Sequence, residues 1–475
     1  MNESFHIPSR VSLPGRPVCG CVRPPRLANP VYTLCDMLPA YLSKAVPNPA
    51  TNRAPWYTNT APTYAGIFLW IAFYNAIATG TITQASLWVC LLGLAVAGLL
   101  SYGLYYYVPA MLGMRTGHPL YVVGSSTFGT TGGYLMPGLL MGLLQVGWFC
   151  VATFFAASFI LNGLGIPPLA NSVPLIVAGV LWGYGMAYIG VKGIGYVARV
   201  ATYLNFIPLI MILIVFFKTF DGIALYEAPA NNPVIAFTLI LQIVIGFFAT
   251  AGAAGADFGI NSRHAGDVKW GGLVGISLAV LVAGGLPLLS VAGAKALNPG
   301  LASLNYDAVI PSMGGGLAAV MFFLFAIASI PATCFCAFIA SNSFSTMIPG
   351  IPRMTSTMAA VTVAIILAVT GVAENLIGFF TIVGASFGPI CGAMAADYLL
   401  SGRKWAGPRK GVNLAGYIAW AAGFFVGVMP FIPAFDGVKE MLQPAALYSF
   451  IVGFAVYAMC AKAGLEPKTV SLNEA

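Results

Sequence analysis

The sequence predicts an all-α polytopic membrane protein of about twelve transmembrane helices, two of them interrupted near their middles. Three observations carry this. Charged residues make up 7% of the 475-residue chain and hydrophobic residues 59%, whereas a soluble domain carries about 25% charged residues. So little charge cannot coat a water-facing surface of this size. The apolar runs approach the roughly 20 residues that a helix needs to cross a bilayer, and they lack the shorter period-2 pattern of barrel strands. Finally, polar and glycine residues break the run at 70–80, with Asn75, Thr79 and Gly80, and the run at 246–255, with Thr250, Gly252 and Gly255. A helix in lipid must satisfy its own backbone, so an interruption belongs beside a cavity that binds something. Two interruptions about five spans apart are the arrangement of carriers built from inverted repeats.

The expected spans are 62–85, 87–112, 134–163, 172–191, 195–217, 232–255, 271–294, 314–340, 357–372, 376–399, 411–433 and 444–463. They divide the chain into a cytoplasmic tail at 1–60, a transmembrane domain at 61–465 and a short tail at 466–475. Residues 1–60 are rich in Pro, Arg and Asn without a long apolar run, which reads as disordered and lacks the h-region of a secretory signal. Met37 is a second in-frame start, from which a chain would lack residues 1–36. Glycine (55) and proline (32) suit closely packed, broken membrane helices.

Charge gives the orientation. With the N-terminus inside, all of the 21 Lys and Arg except Lys218, Lys295 and Lys439 fall in inner segments. This skew is the positive-inside pattern, with an even number of crossings and both ends cytoplasmic. The net charge of +8 therefore reflects topology, and its scatter over several loops gives no reason to expect nucleic acid as a partner. The partners expected are the lipid bilayer, here the plasma (inner) membrane, and a small molecule. Six of the nine cysteines lie in spans as small apolar residues. Cys19, Cys21 and Cys35 lie in the reducing cytoplasmic tail, and Cys19-x-Cys21 lacks zinc spacing and a companion pair.

Four segments resemble one family. Asn52-Arg53-Ala54-Pro55-Trp56-Tyr57 resembles the stretch before the first helix of the nucleobase–cation symporter-1 family. Gln145-Val146-Gly147-Trp148-Phe149 resembles the third-helix motif of its cytosine permeases. The run at 246–258, ending Ala256-Asp257-Phe258, resembles their broken sixth helix. Gly388-Pro389-Ile390-Cys391-Gly392 with Ala396-Asp397-Tyr398-Leu399 resembles the end of their tenth. The motifs run in the family's order over most of 52–405. The resemblance implies a five-plus-five inverted-repeat, LeuT-like fold: repeat one at 61–217, repeat two at 232–400, and accessory helices at 411–463. It also implies secondary active import of a nucleobase by cation-coupled symport and alternating access.

Candidate site residues follow. The resemblance puts Trp148 on one face of a flat heterocycle and Phe248 on the other, and ring stacking adds about 0.5–1.5 kcal/mol beyond buried area. The sequence alone does not separate Phe248 from its neighbour Phe247. Gln145 lies three positions before Trp148, so both project from nearly one helix face. Its amide offers a donor and an acceptor to a pyrimidine edge, or else bonds a neighbouring helix. Thr250 and Ala251 fall at the expected unwinding of span six, where freed backbone groups and the Thr250 hydroxyl would meet the ring. Asn75 either lines the substrate site or satisfies the open backbone of span one. Ser329 stands where relatives carry a substrate-contacting asparagine, which puts substrate identity in question.

In sodium-coupled relatives the ion lies between carbonyls of the first span and two hydroxyls of span eight. The matching positions are Ala72 and Asn75 with Thr333, while Ala332 replaces the second hydroxyl and Pro331 intrudes. The Ile330-Pro331 step resembles fungal permeases that the family links to protons, so the coupling ion, Na+ or H+, stays open. Asp257 and Asp397 lie at inner helix ends near Arg263 and Arg403, which suggests ion pairs or caps at a cytoplasmic gate in preference to proton carriage. No other cofactor is expected.

Rival readings are a hydantoin- or allantoin-type ureide permease, an amino-acid carrier of similar build, and a membrane sensor that binds the heterocycle without moving it. The Gln145/Trp148 pair argues against the amino-acid carrier, and the lack of a signalling domain against the sensor. An intramembrane enzyme is disfavoured, because the spans hold no His-rich cluster and no paired carboxylates.

Overall fold

The computed structural model describes residues 38–348 and 350–472, with only the backbone given at 193–202. The expectations for residues 1–37, including the cysteines of the tail, lie outside the described residues. The described chain is helical, and its only β-pairings are the isolated bridges Ala54–Ser262 and Arg409–Thr469.

Eleven candidate crossings and one shorter apolar helix follow one another among the described residues. The first is a bent pair, α1 (Thr60–Phe68) and α2 (Ile71–Ala78), which meet at 48°. Next come α3 (Leu87–Thr116), α4 (Gly132–Gly163), α5 (Val173–Leu204), α6 (Phe206–Ile223) and α7 (Pro233–Ala253), the last followed by the short α8 (Gly255–Gly259). Then come α9 (Ala265–Leu297), α10 (Gly315–Met347), α11 (Arg353–Val369), α12 (Leu376–Leu400), α13 (Leu414–Val428) and α14 (Ala445–Lys462). Ten of these helices are long and apolar enough to cross a membrane by themselves, α1 and α2 make an eleventh together, and α11 is a shorter apolar helix.

The helices pack as two groups. In one, α7 lies against α3, α6 and α2 lie against α9, and α1 lies on the start of α9. In the other, α4, α5, α10 and α11 contact one another pairwise. The last helices, α12 to α14, pack together and abut α7 through α12. Close approach explains several glycines. A Cβ on Gly246 of α7 would lie 2.5 Å from the Phe380 carbonyl oxygen of α12. A Cβ on Gly113 of α3 would overlap the Ala256 carbonyl of α8.

Both interruptions fall at an edge of the expected stretch and not at the polar residues within it. The first is at Leu69 and Trp70, where Trp70 is extended (φ −86, ψ 133), and Asn75 lies within regular helix. The second is at Ala254, so Thr250 and Ala251 are helical and α7 runs unbroken through the middle of its span. The reason is packing. Gly246 and Gly252 admit the Phe380 backbone and the Tyr105 side chain, so they serve close contact, and the helix need not unwind. The boundary between the fourth and fifth spans is also displaced. Expected near 192–194, it lies at Asn205, because α5 stays helical to Leu204.

The loops sort to two ends. At one, the Arg53 guanidinium donates to the Met114 carbonyl (2.8 Å), Arg115 to the Arg403 carbonyl, and Ala54 pairs with Ser262. At the other, the Ala230 N–H bonds the Thr83 carbonyl and the Thr79 hydroxyl bonds Asn305. Residues 38–59, expected within a disordered tail, pack beneath the first end. Tyr41 is buried and donates to the Thr130 carbonyl at 2.7 Å.

Candidate substrate site

A cavity of about 300 Å³ opens between the two helix groups. Its walls come from α1 (Pro62, Thr63, Gly66, Ile67), from Trp70 at the first break, from α4 (Gln145, Trp148), from α7 (Phe247, Thr250, Ala251), and from α10 (Ala328, Pro331, Ala332, Phe335, Cys336, Ile339). It extends past Asn205, Ala254 and Phe258 to Asn59 and the exposed Thr58, so its mouth lies at the end that carries Arg53 and Arg115. No charged side chain lines it.

Trp148 is the centre of the inner wall. Its indole N–H donates to the Thr250 hydroxyl at 3.0 Å, which ties α4 to α7 across the two groups. Phe380 stacks on it (5.6 Å, 28°), and Phe247 and Phe379 meet it edge-on at 5.0 and 4.9 Å. Trp70 stands 5.7 Å away, tilted by 56°. Gln145 is buried one turn before Trp148, and its only side-chain contact is a weak one, from the amide nitrogen to the Met141 sulfur at 3.6 Å. Its carbonyl oxygen is free to accept, and its amide N–H groups exchange a poor acceptor for a better one at little cost. The start of α2, next to Trp70, leaves first-turn N–H groups without helical acceptors, which makes this end of the half-helix electropositive.

The cavity thus brings Gln145, Trp148, Thr250 and Ala251 together, as the sequence suggested, and it parts with the sequence at five residues. Phe248 turns away and stacks on Phe68 (5.4 Å, 16°), and its neighbour Phe247 forms the wall. Neighbouring residues on a helix point about 100° apart, so only one of the two can face the site. Ser329 is buried off the cavity, its hydroxyl donating to the Phe325 carbonyl one turn back. Asn75 lies beyond the cavity and accepts from the Asp307 N–H at 3.1 Å. Thr333 donates to the Ser329 carbonyl and accepts from the Trp182 indole of α5, and Ala72 is fully buried. The expected ion ligands therefore direct their polar atoms to separate partners. The Ala251 carbonyl, expected to be free, accepts from the Tyr64 hydroxyl at 3.0 Å. Trp70, Asn205 and Phe335 went unpredicted. Trp70 stood in the expected break and was passed over for its polar neighbours, and Asn205 was hidden by the displaced span boundary.

The acidic residues pair differently from their sequence neighbours. Asp397 is buried against Arg409 at 2.9 Å, and the same guanidinium reaches Glu466 at 2.9 Å. The Asp397 carboxylate also accepts from Ser126 and Thr127. Arg263 bonds Asp267 at 3.2 Å, which leaves Asp257 without a cation. Burial pushes the Asp257 carboxyl up to about 7, opposed by a hydrogen bond from the Leu120 backbone. Burial also lowers His118, in the loop that leads to that hydrogen bond. Among the described residues no cluster of His, Cys, Asp and Glu forms a metal site.

No protein-family model matches the chain. Cytosine permease of Escherichia coli (strain K12) is 26% identical over 362 residues, which are 74% of this chain and 80% of the permease. The inward-facing conformation of Mhp1 superposes with a TM-score of 0.69 at 16% identity, over 90% of this chain and 95% of that one. The chain is thus similar to transporters of the nucleobase–cation symporter-1 family, in sequence to the permease and in fold to Mhp1. Mhp1 is a transporter of that family, and its closed conformation with bromovinylhydantoin bound gives a TM-score of 0.66 at 15% identity, over 89% of this chain and 96% of Mhp1. A Na+-coupled sialic acid symporter shares the architecture more loosely, with a TM-score of 0.56 at 14% identity over 91% of this chain and 95% of that one. The chain shares the inverted-repeat, LeuT-like fold of these transporters, and its apolar helices mark an integral membrane protein.

Proposed function

We propose that the protein imports a neutral, flat nitrogen heterocycle of the nucleobase type by cation-coupled symport, and that the cavity between Trp148, Phe247 and Gln145 binds it. The observation that carries this is the makeup of the cavity. It is aromatic on its walls, has one uncommitted amide, and bears no charge. An amino acid or a sialic acid would bring a carboxylate into a site without a cation. A base brings only ring faces and an amide-like edge, which stack on indole and pair with Gln145. The relatives support the reading, since one is a cytosine permease and the other binds a substituted hydantoin.

In this reading the basic end is cytoplasmic, and the cavity, whose mouth lies at that end, is open to the cytoplasm. Rocking of the α1–α2, α3, α7 and α9 group against the α4, α5, α10 and α11 group exposes the cavity alternately to either side. A coupling cation acts through its different affinity for the two states. The Trp148–Thr250 bond crosses between the groups, so it reports their approach.

The test is uptake of labelled cytosine, adenine, hypoxanthine, uracil and allantoin into vesicles, with and without Na+ and H+ gradients. Saturable, gradient-driven uptake of a base is expected, and it is lost in Gln145→Ala and Trp148→Ala. Allantoin carried to the exclusion of the bases would make the protein a ureide permease. Binding without uptake would make it a sensor. If none of the five is bound or carried, the nucleobase reading fails.

A further inference from the structure

The half of the molecule away from the cavity mouth is shut by a column of rings. Trp70 immediately precedes α2, and Tyr74 lies in the first turn of that helix. Trp70 forms part of the cavity wall. Tyr74 lies beyond it, edge-on to Tyr306 at 4.9 Å, and Tyr306 belongs to a one-turn helix (Tyr306–Ala308) between α9 and α10. Phe325 of α10 stands 6.3 Å from both tyrosines.

All three polar groups in this column lack a hydrogen-bond partner. The Trp70 indole N–H and the Tyr74 and Tyr306 hydroxyls are buried without one, and the residues are 7%, 0% and 0% exposed. Buried polar groups are paired in more than about nine cases in ten. A column of three in sequence from cavity to loop therefore calls for a cause. Packing alone is a poor one, because phenylalanine fills the same space without stranding a hydroxyl. Around the column α2 is held to the loop by Asn75, whose side chain bonds both the backbone and the carboxyl of Asp307, and by Thr79, with no ion pair among the described residues. The Asp307 N–H donates to Asn75 at 3.1 Å, and the Thr79 hydroxyl donates to Asn305 at 2.9 Å. Such a seam parts without separating an ion pair.

We propose that this column is the closed outer half of the permeation path, and that the Tyr74–Tyr306 contact is its gate. When α2 and the 305–307 turn separate, water and the passing substrate supply the partners that the indole and the two phenols lack in the shut state. The hydroxyls raise the energy of the shut state and so keep it from trapping the carrier. This assignment rests on the two-sided access of a transporter and does not depend on which heterocycle is carried.

The test uses Cys336, which lines the cavity, as the sole cysteine in an otherwise cysteine-free protein in oriented vesicles. A membrane-impermeant methanethiosulfonate is added to the side opposite the basic loops, and the labelling rate is read. The parent is expected to label from that side. Tyr74→Phe and Tyr306→Phe, which lose an unpaired hydroxyl and keep the ring, are each expected to label roughly fivefold more slowly from it, with undiminished labelling from the basic side and a raised melting temperature. Equal outer-side labelling in the variants and the parent would overturn the gate. So would a parent that never labels from that side.

Discussion

Replacing Thr250 with valine asks whether the Trp148 indole is held in place or merely packed. The Nε1–Oγ1 bond is 3.0 Å long, and both residues are buried, at 6% and 2% exposure. Valine keeps the shape and removes the acceptor. The stranded N–H then costs about 1–3 kcal/mol unless the indole turns to find another partner. Turning is opposed by Phe247, Phe379 and Phe380, which box the ring at 4.9–5.6 Å. Trp148→Phe removes the donor instead and leaves the Thr250 hydroxyl free to bond its own helix. Each single variant should bind the heterocycle that the parent binds about five- to tenfold more weakly, because the stacking surface is no longer aimed. The double variant should fall within about threefold of the weaker single one, a coupling of roughly 1 kcal/mol. Titration calorimetry on the four purified proteins gives this cycle. If the two single losses multiply in the double variant, Thr250 does not position the indole.

Three further outcomes follow from the structure. Phe247→Ala should weaken heterocycle binding at least tenfold, whereas Phe248→Ala should lower the melting temperature, as buried Phe-to-Ala changes costing about 3–5 kcal/mol do, with the residual folded protein binding normally; ligand titration of both variants separates the two roles. Asp257 binds its proton more tightly folded than unfolded, since burial raises its carboxyl to about 7 from the roughly 3.9 of a free aspartate. Its contribution is therefore present at low pH and is lost as pH rises through 7, so Asp257→Asn should raise the melting temperature more at pH 8 than at pH 5, and an equal gain at both would show that the carboxyl titrates normally. Arg409→Met strands the buried Asp397 carboxylate, a change that costs about 3–5 kcal/mol, and the additional Asp397→Leu should recover much of that loss in thermal unfolding.

The bilayer made the fold legible. Every crossing must present about 20 apolar residues, and the eleven candidate crossings, with the shorter α11, all appear in the chain as apolar runs. Where the sequence misled, the same residue type serves two purposes. Glycine both unwinds a membrane helix and lets helices approach, so Gly246 and Gly252 looked like a break and are contacts with Phe380 and Tyr105. Lys192 looked like part of a loop between spans, yet the helix continues past it to Leu204. At the site, Gln145 and Trp148 were readable because their spacing fixes a shared face. Phe247 and Phe248 were not, since helix phase cannot be read from adjacent aromatics. Ion pairs were the least legible. Asp397 bonds Arg409 and not Arg403, and Arg263 bonds Asp267 and not Asp257, because the fold chooses partners by position in space.

The central claim is that the uncharged cavity beside Trp148 is where a flat heterocycle binds. A structure of the protein saturated with the base it carries tests this directly. Ring density is expected against Trp148 and Phe247, with one edge at the Gln145 amide. Density for the base anywhere else, with this cavity holding only solvent, would contradict the account.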